Sequence, residues 1–148
     1  MKTLVALLML LPLMAACSKG PIEKAKLDAE IKRLCAIDGG VKVYETVRLP
    51  AERFEKYGGL RLPSKRDVTS TDDYYVEWDV RHLLDGNPSM RRDHFLVYRK
   101  VDGKLLGEAI SYSRRGGDLP GPWEDSLFRC PPKADDQDLM LSIFIKAN

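Results

Sequence analysis

Between residues 74 and 113 the chain carries three extended runs separated by two tight-turn signals, and this stretch restricts the fold more than any other. In the run from Tyr74 to His82, Val76, Trp78 and Val80 alternate with Glu77, Asp79 and Arg81. A period of two puts the first set on one face of a strand and the second on the other, so one face meets a core and the other meets water. Asp85-Gly86-Asn87-Pro88 is turn chemistry. His94 to Val101 and Leu105 to Ser113 then flank Asp102-Gly103, the strongest short hairpin signal. A two-residue turn there pairs Val101 with Lys104, Phe95 with Ile110 and, at the open end, Arg91 with Arg114. Three consecutive strands joined this way form an antiparallel sheet.

The segments on either side add helices and further strands. Pro21 suits the first turn of a helix, and Leu27, Ile31, Leu34 and Cys35 fall on one helical face. Asp28 and Lys32 make a favourable exposed pair at i, i+4. Asp38-Gly39-Gly40 ends this helix. Val41 to Leu49 reads as one strand, Pro50 to about Tyr57 as a second short helix stopped by Gly58-Gly59, and Ser64 to Asp73 as a loop. Leu127 to Cys130 reads as a short edge strand before Pro131-Pro132. Asp138 to Lys146 reads as a strand buried on both faces. The expected fold is α+β: an antiparallel sheet of about five strands, one or two helices packed near the N-terminal part, and one disulfide.

The N-terminus has a different character. Met1-Lys2 precedes an apolar run from Leu4 to Leu13, too short to cross a hydrocarbon core. Small residues Ala15 and Ala16 stand directly before Cys17. Leu13-Met14-Ala15-Ala16-Cys17 resembles the lipobox of bacterial lipoproteins. The resemblance implies that residues 1–16 are a signal peptide and that Cys17 is acylated and becomes the mature N-terminus. It also implies that Ser18, not being aspartate, goes with outer-membrane sorting. Residues 17–20 would then be a short lipidated tether and 21–148 a single periplasmic domain. One acyl chain binds a bilayer marginally, whereas two or more attach a protein lastingly. If Cys17 is lipidated, Cys35 and Cys130 remain as an even pair, and an oxidising compartment favours a disulfide between them.

Composition excludes some functions. Removing Lys2 with the leader leaves one basic residue fewer than 24, against 22 acidic ones, too balanced for a nucleic-acid binder. The only histidines are His82 and His94, and nothing has the spacing of a metal site, so no metal and no cofactor is expected. Glu77 and Asp79 share a strand face and could divide acid and base roles; a solvated strand face shows the same pattern far more often. No residue is nominated as catalytic. The aromatics Tyr74, Tyr75, Trp78 and Trp123 suggest a stacking platform or, more simply, packing. The feature that stands out is arginine: Arg91 facing Arg114, with Arg92 and Arg115 beside them, puts like charges opposite one another. These four are the candidate anion-binding residues, suited to phosphates of lipid or lipopolysaccharide. The expectation is a non-enzymatic binding or structural lipoprotein on the periplasmic face of the outer membrane. Its partners are the membrane, through the anchor, and anionic lipid or another envelope protein. The alternatives are a small periplasmic hydrolase using Glu77 or His94, and an inhibitor or exclusion lipoprotein.

Overall fold

The computed structural model describes residues 19–147, so the expected leader and lipidation site, 1–16 and Cys17, lie outside the described residues. Its centre is the meander foreseen from the turns: β3 (Tyr74–Leu84), β4 (Ser89–Arg99) and β5 (Lys104–Arg115). Two short strands, β1 (Gly40–Val43) and β6 (Leu127–Cys130), pair end to end along the far side of β5. The result is a five-stranded antiparallel sheet. Helix α1 (Lys19–Asp38) begins two residues earlier than expected and covers one face of it; α2 (Asp136–Ile143) covers the other. The second helix therefore comes from the C-terminal part of the chain, not the N-terminal part. Neither is long and apolar enough to cross a membrane.

From Val97 to the open end, the hairpin register differs from the sequence expectation by one residue. The loop spans four residues, with Arg99 paired to Lys104, and Leu106 is an extra residue bulged between the pairs Tyr98–Leu105 and Val97–Gly107. Its carbonyl accepts from the Tyr44 and Glu45 amides, at 2.8 and 3.1 Å, which fastens the chain leaving β1. Because side chains alternate, a one-residue slip exchanges partners across the whole hairpin. Phe95 faces Ala109 instead of Ile110, and Arg91 faces Ser113 instead of Arg114. The slip sorts the apolar residues cleanly. Phe95, Val97 and Ala109 point to the α2 face with Leu139, Met140, Ile143 and Phe144. Met90, Ile110 and Tyr112 point to the α1 face with Ile31, Leu27 and Leu34. Burying one such aliphatic side chain stabilises by roughly 1.5–3 kcal/mol. Gly107 is confined by the layer above it: a Cβ there would lie 2.8 Å from the Lys42 carbonyl oxygen and 2.9 Å from Ile143 Cδ1.

Three further expectations change. Val41 to Leu49 is two strands, since Tyr44–Thr46 turns the chain out of the main sheet and β2 (Val47–Leu49) pairs in parallel with β7 (Phe144–Lys146). The helix expected after Pro50 is one 3-10 turn, Ala51–Arg53; only Phe54 finds packing, while Tyr57 is 92% exposed. The strand expected over 138–146 is mostly α2. Asp135 accepts from the Asp138 amide at 2.8 Å and Asp138 accepts from the Asp135 amide at 3.4 Å, a reciprocal cap. Leu139, Met140 and Ile143 then bury at helical spacing. Cys35 and Cys130 form the expected disulfide, between the end of α1 and the end of β6. Among the described residues, every member of both cores and both cysteines of the disulfide lie within 27–144, so all of them are kept when residues 1–17 are removed.

Candidate anion-binding face

The register divides the four arginines of the sequence expectation between opposite faces. Arg92 and Arg114 fall on the α1 side, where the helix neutralises them. Arg92 donates to Tyr112 Oη and Asp38 Oδ2, both at 3.2 Å, and Tyr112 donates to Asp38 at 2.8 Å. Arg114, only 2% exposed, is gripped by Asp28 at 2.6 Å and by Ser126 and the Gly116 carbonyl. Asp28 thus serves a strand arginine, not Lys32 as its spacing suggests. These two arginines tie the helix to the sheet and are not available to a ligand.

Arg91 and Arg115 fall on the other face, beyond the end of α2. There β6 brings in Arg129 and β3 brings in His82, neither of which the sequence analysis selected. Cross-strand pairing sets His82, Arg91, Ser113 and Arg129 in one row across four strands. Directly opposed residues stand about 4.5–5.5 Å apart between their Cβ atoms. Two guanidinium groups therefore flank one serine. The adjacent row, toward the end of the sheet, contains Ser89, Arg115 and Leu127. These residues line a cavity of about 400 Å³, closed on one side by Asp85 and Gly86 of the β3–β4 turn.

The charges here are incompletely matched. Arg91 pairs with Asp93 at 3.0 Å, and His82 lies 3.4 Å from Asp85. Arg115 and Arg129 have no carboxylate partner among the described residues. Arg129 Nε is sealed from solvent without an acceptor, and in the row behind, Asp93 Oδ1 and Ser111 Oγ are also buried and unmatched. A buried polar group left without a partner costs about 1–3 kcal/mol. Of these three residues only Arg129 lines the cavity. Guanidinium groups with serine hydroxyls between them suit an oxyanion carrying several acceptor oxygens.

Comparison with known proteins finds no family model, no curated protein and no solved structure that this chain matches.

The two groups least unsuited to acid–base work are on the α1-side face, away from this cavity. His94 Nε2 lies 2.6 Å from Glu108, whose other oxygen accepts from Tyr44 at 2.5 Å. The Tyr44 hydrogen bond, reinforced by His94 and opposed by burial, holds the Glu108 carboxyl below its ordinary range. A carboxylate kept ionised in this way is a poor proton donor, and the three side chains clasp β1, β5 and β4. Glu77 pairs with Lys65 at 2.7 Å and Asp79 with Arg81 at 3.0 Å, so each of the two carboxylates has its own cation. The aromatics do not assemble into a platform. Tyr74 packs against Phe144, Tyr75 stacks on Tyr98 across the sheet, Trp78 stacks on Phe95, and Trp123 donates to the Leu119 carbonyl in a loop.

Proposed function

We propose that this chain is a lipid-anchored binding module of the cell envelope, held by Cys17 on the periplasmic face of the outer membrane, and that it binds an anionic component of that envelope. The observation that carries the binding role is the row Arg91–Ser113–Arg129 along a cavity wall, where Arg129 has no carboxylate partner among the described residues. The anchor is supported by the leader's resemblance to a lipobox. The Cys35–Cys130 bridge adds support, because it fits an oxidising compartment and leaves Cys17 as the one cysteine outside a disulfide.

The two halves of the reading have separate tests. For the anchor, cells expressing the full chain are fed labelled palmitate and fractionated. The label is expected in the wild type at the membrane and absent from Cys17→Ser; a wild type without label refutes the anchor. For the binding role, inorganic phosphate and sulfate are titrated into the chain beginning at Ser18 while its thermal midpoint is followed. The midpoint is expected to rise in the wild type and stay fixed in Arg115→Gln/Arg129→Gln. Arg91 is spared in this variant because removing it would strand the buried Asp93 carboxylate. A rise of equal size in both proteins refutes the site.

A further inference from the structure

The arginine cavity, the start of α1 and a group of exposed apolar side chains all lie at one end of the sheet. Lys24, in the second turn of α1, pairs with Asp118 at 2.5 Å, just past the end of β5. A Cβ on Gly117 would lie 3.2 Å from Pro88 Cβ and 3.5 Å from Lys24 Cβ. The first turns of the helix therefore abut the β3–β4 turn that rims the cavity. Cys17 is two residues from the first residue of the helix, a span of at most about 7 Å.

Around the same end, Ile22 on α1, Leu83 and Leu84 at the end of β3, Leu119 and Trp123 in the β5–β6 loop, and Leu127 at the start of β6 are all exposed. Isolated exposed apolar residues are ordinary, but several at one end, beside cationic groups, mark an interaction surface. Tryptophan with leucines around a basic pocket is the composition that settles at a bilayer interface.

From this juxtaposition we infer that the domain stands end-on upon the bilayer that holds its anchor, with the phosphate of a lipid headgroup seated over Ser113 between Arg91 and Arg129. Arg115 and Ser89 line the pocket on the membrane side, where the headgroup enters. The apolar rim enters the headgroup layer. This rests on the proposed function and names its ligand: a phosphate-bearing lipid of the same membrane. Phosphate is favoured over carboxylate because three guanidinium groups and two hydroxyls offer more donors than two oxygens can accept.

The test uses the chain beginning at Ser18, which keeps every residue of the two described cores and the disulfide, so acylation of Cys17 does not enter the result. Sucrose-loaded vesicles of phosphatidylcholine, with and without phosphatidic acid, are sedimented with the wild type, with Arg115→Gln/Arg129→Gln, and with Arg61→Gln/Arg66→Gln. The last variant loses the same charge from exposed sites away from the cavity. Phosphatidic acid is expected to raise wild-type binding about tenfold, the pocket variant to lose that gain, and the charge-matched control to keep it. Equal binding by the two variants shows charge attraction without a site and overturns the inference. A wild type that is stabilised by inorganic phosphate but ignores the vesicles takes a free anion instead; the lipid inference then fails while the binding role stands. In a Trp78→Phe background, Trp123 fluorescence is expected to be quenched by brominated acyl chains. Vesicle binding without quenching refutes the end-on orientation.

Discussion

Replacing Asp28 with alanine should strand a charge in the interior, and the size of the effect follows from what surrounds Arg114. The guanidinium is 2% exposed and has one anionic partner, Asp28, at 2.6 and 3.4 Å; its other acceptors, Gly116 and Ser126, are neutral. Removing one member of a buried ion pair typically costs about 3–5 kcal/mol, because the remaining charge is neither solvated nor neutralised. The Asp28 side chain is 25% exposed and the neutral acceptors remain, so water can reach part of the gap and the lower figure, about 3 kcal/mol, applies. Against a domain stability of about 5–15 kcal/mol this is a large fraction. Urea unfolding followed by far-ultraviolet circular dichroism, with the disulfide intact, measures it without screening the charges. Asp28→Ala should lower the midpoint with little change in slope. Adding Arg114→Met should then restore part of the loss, since it removes the stranded charge and fills the space with an apolar chain. A double variant less stable than Asp28→Ala alone would refute the reasoning, as would a single-variant loss below about 1 kcal/mol.

The disulfide closes a separation of 95 residues, for which chain entropy predicts about 4–5 kcal/mol of stabilisation. Reduction, verified by thiol titration, should lower the urea midpoint accordingly, and an unchanged midpoint would show that the bridge constrains nothing. Asp118 is held down at a pKa of about 2, first by Lys24 and then by the Ser126 amide. Its folded value lies below the unfolded value of about 3.9, so its contribution is complete above pH 4 and disappears as pH falls toward 2. The urea midpoint should drop through that window in the wild type and less steeply in Asp118→Asn; parallel curves would dismiss the pair.

Some of this architecture could be read from local sequence and some could not, for identifiable reasons. Leu27, Ile31, Leu34 and Cys35 specify the buried side of α1 because helical spacing alone determines a face. The meander was legible because its turns carry Gly86, Asn87, Pro88 and Gly103, residues whose backbone preferences are local. The register was not, because the bulge at Leu106 is fixed by two amides from the segment after β1, more than sixty residues earlier in the chain. That single displaced residue decided which arginines share a face. The composition of the site is therefore half visible in the sequence: of the four arginines expected in one cluster, Arg91 and Arg115 line the cavity and Arg92 and Arg114 lie on the other face, while Arg129 and His82 carry no local signal that singles them out. For Arg129 the usable signal is not local: Leu127 and Arg129 alternate against Phe128 and Cys130, and pairing Cys130 to its helix partner fixes which face Arg129 takes. α2 is not legible from alternation, because Leu139, Leu141, Ile143 and Ile145 alternate like a strand; the reciprocal Asp135–Asp138 cap is the signal that outweighs them.

The paired short strands beside β5 have a consequence for solubility. Gly40 partners Ile110 and Cys130 partners Tyr112, so that border is broken into two four-residue pieces with a seam at Ser111, and the disulfide ties the second piece to α1. Interrupted borders make poor templates for recruiting another chain. The opposite border is β3, where Ser64 occupies the start by bridging Val76 and where Glu77, Asp79 and Arg81 intersperse charge along the rest. Both borders are thus unsuited to growth into a fibre.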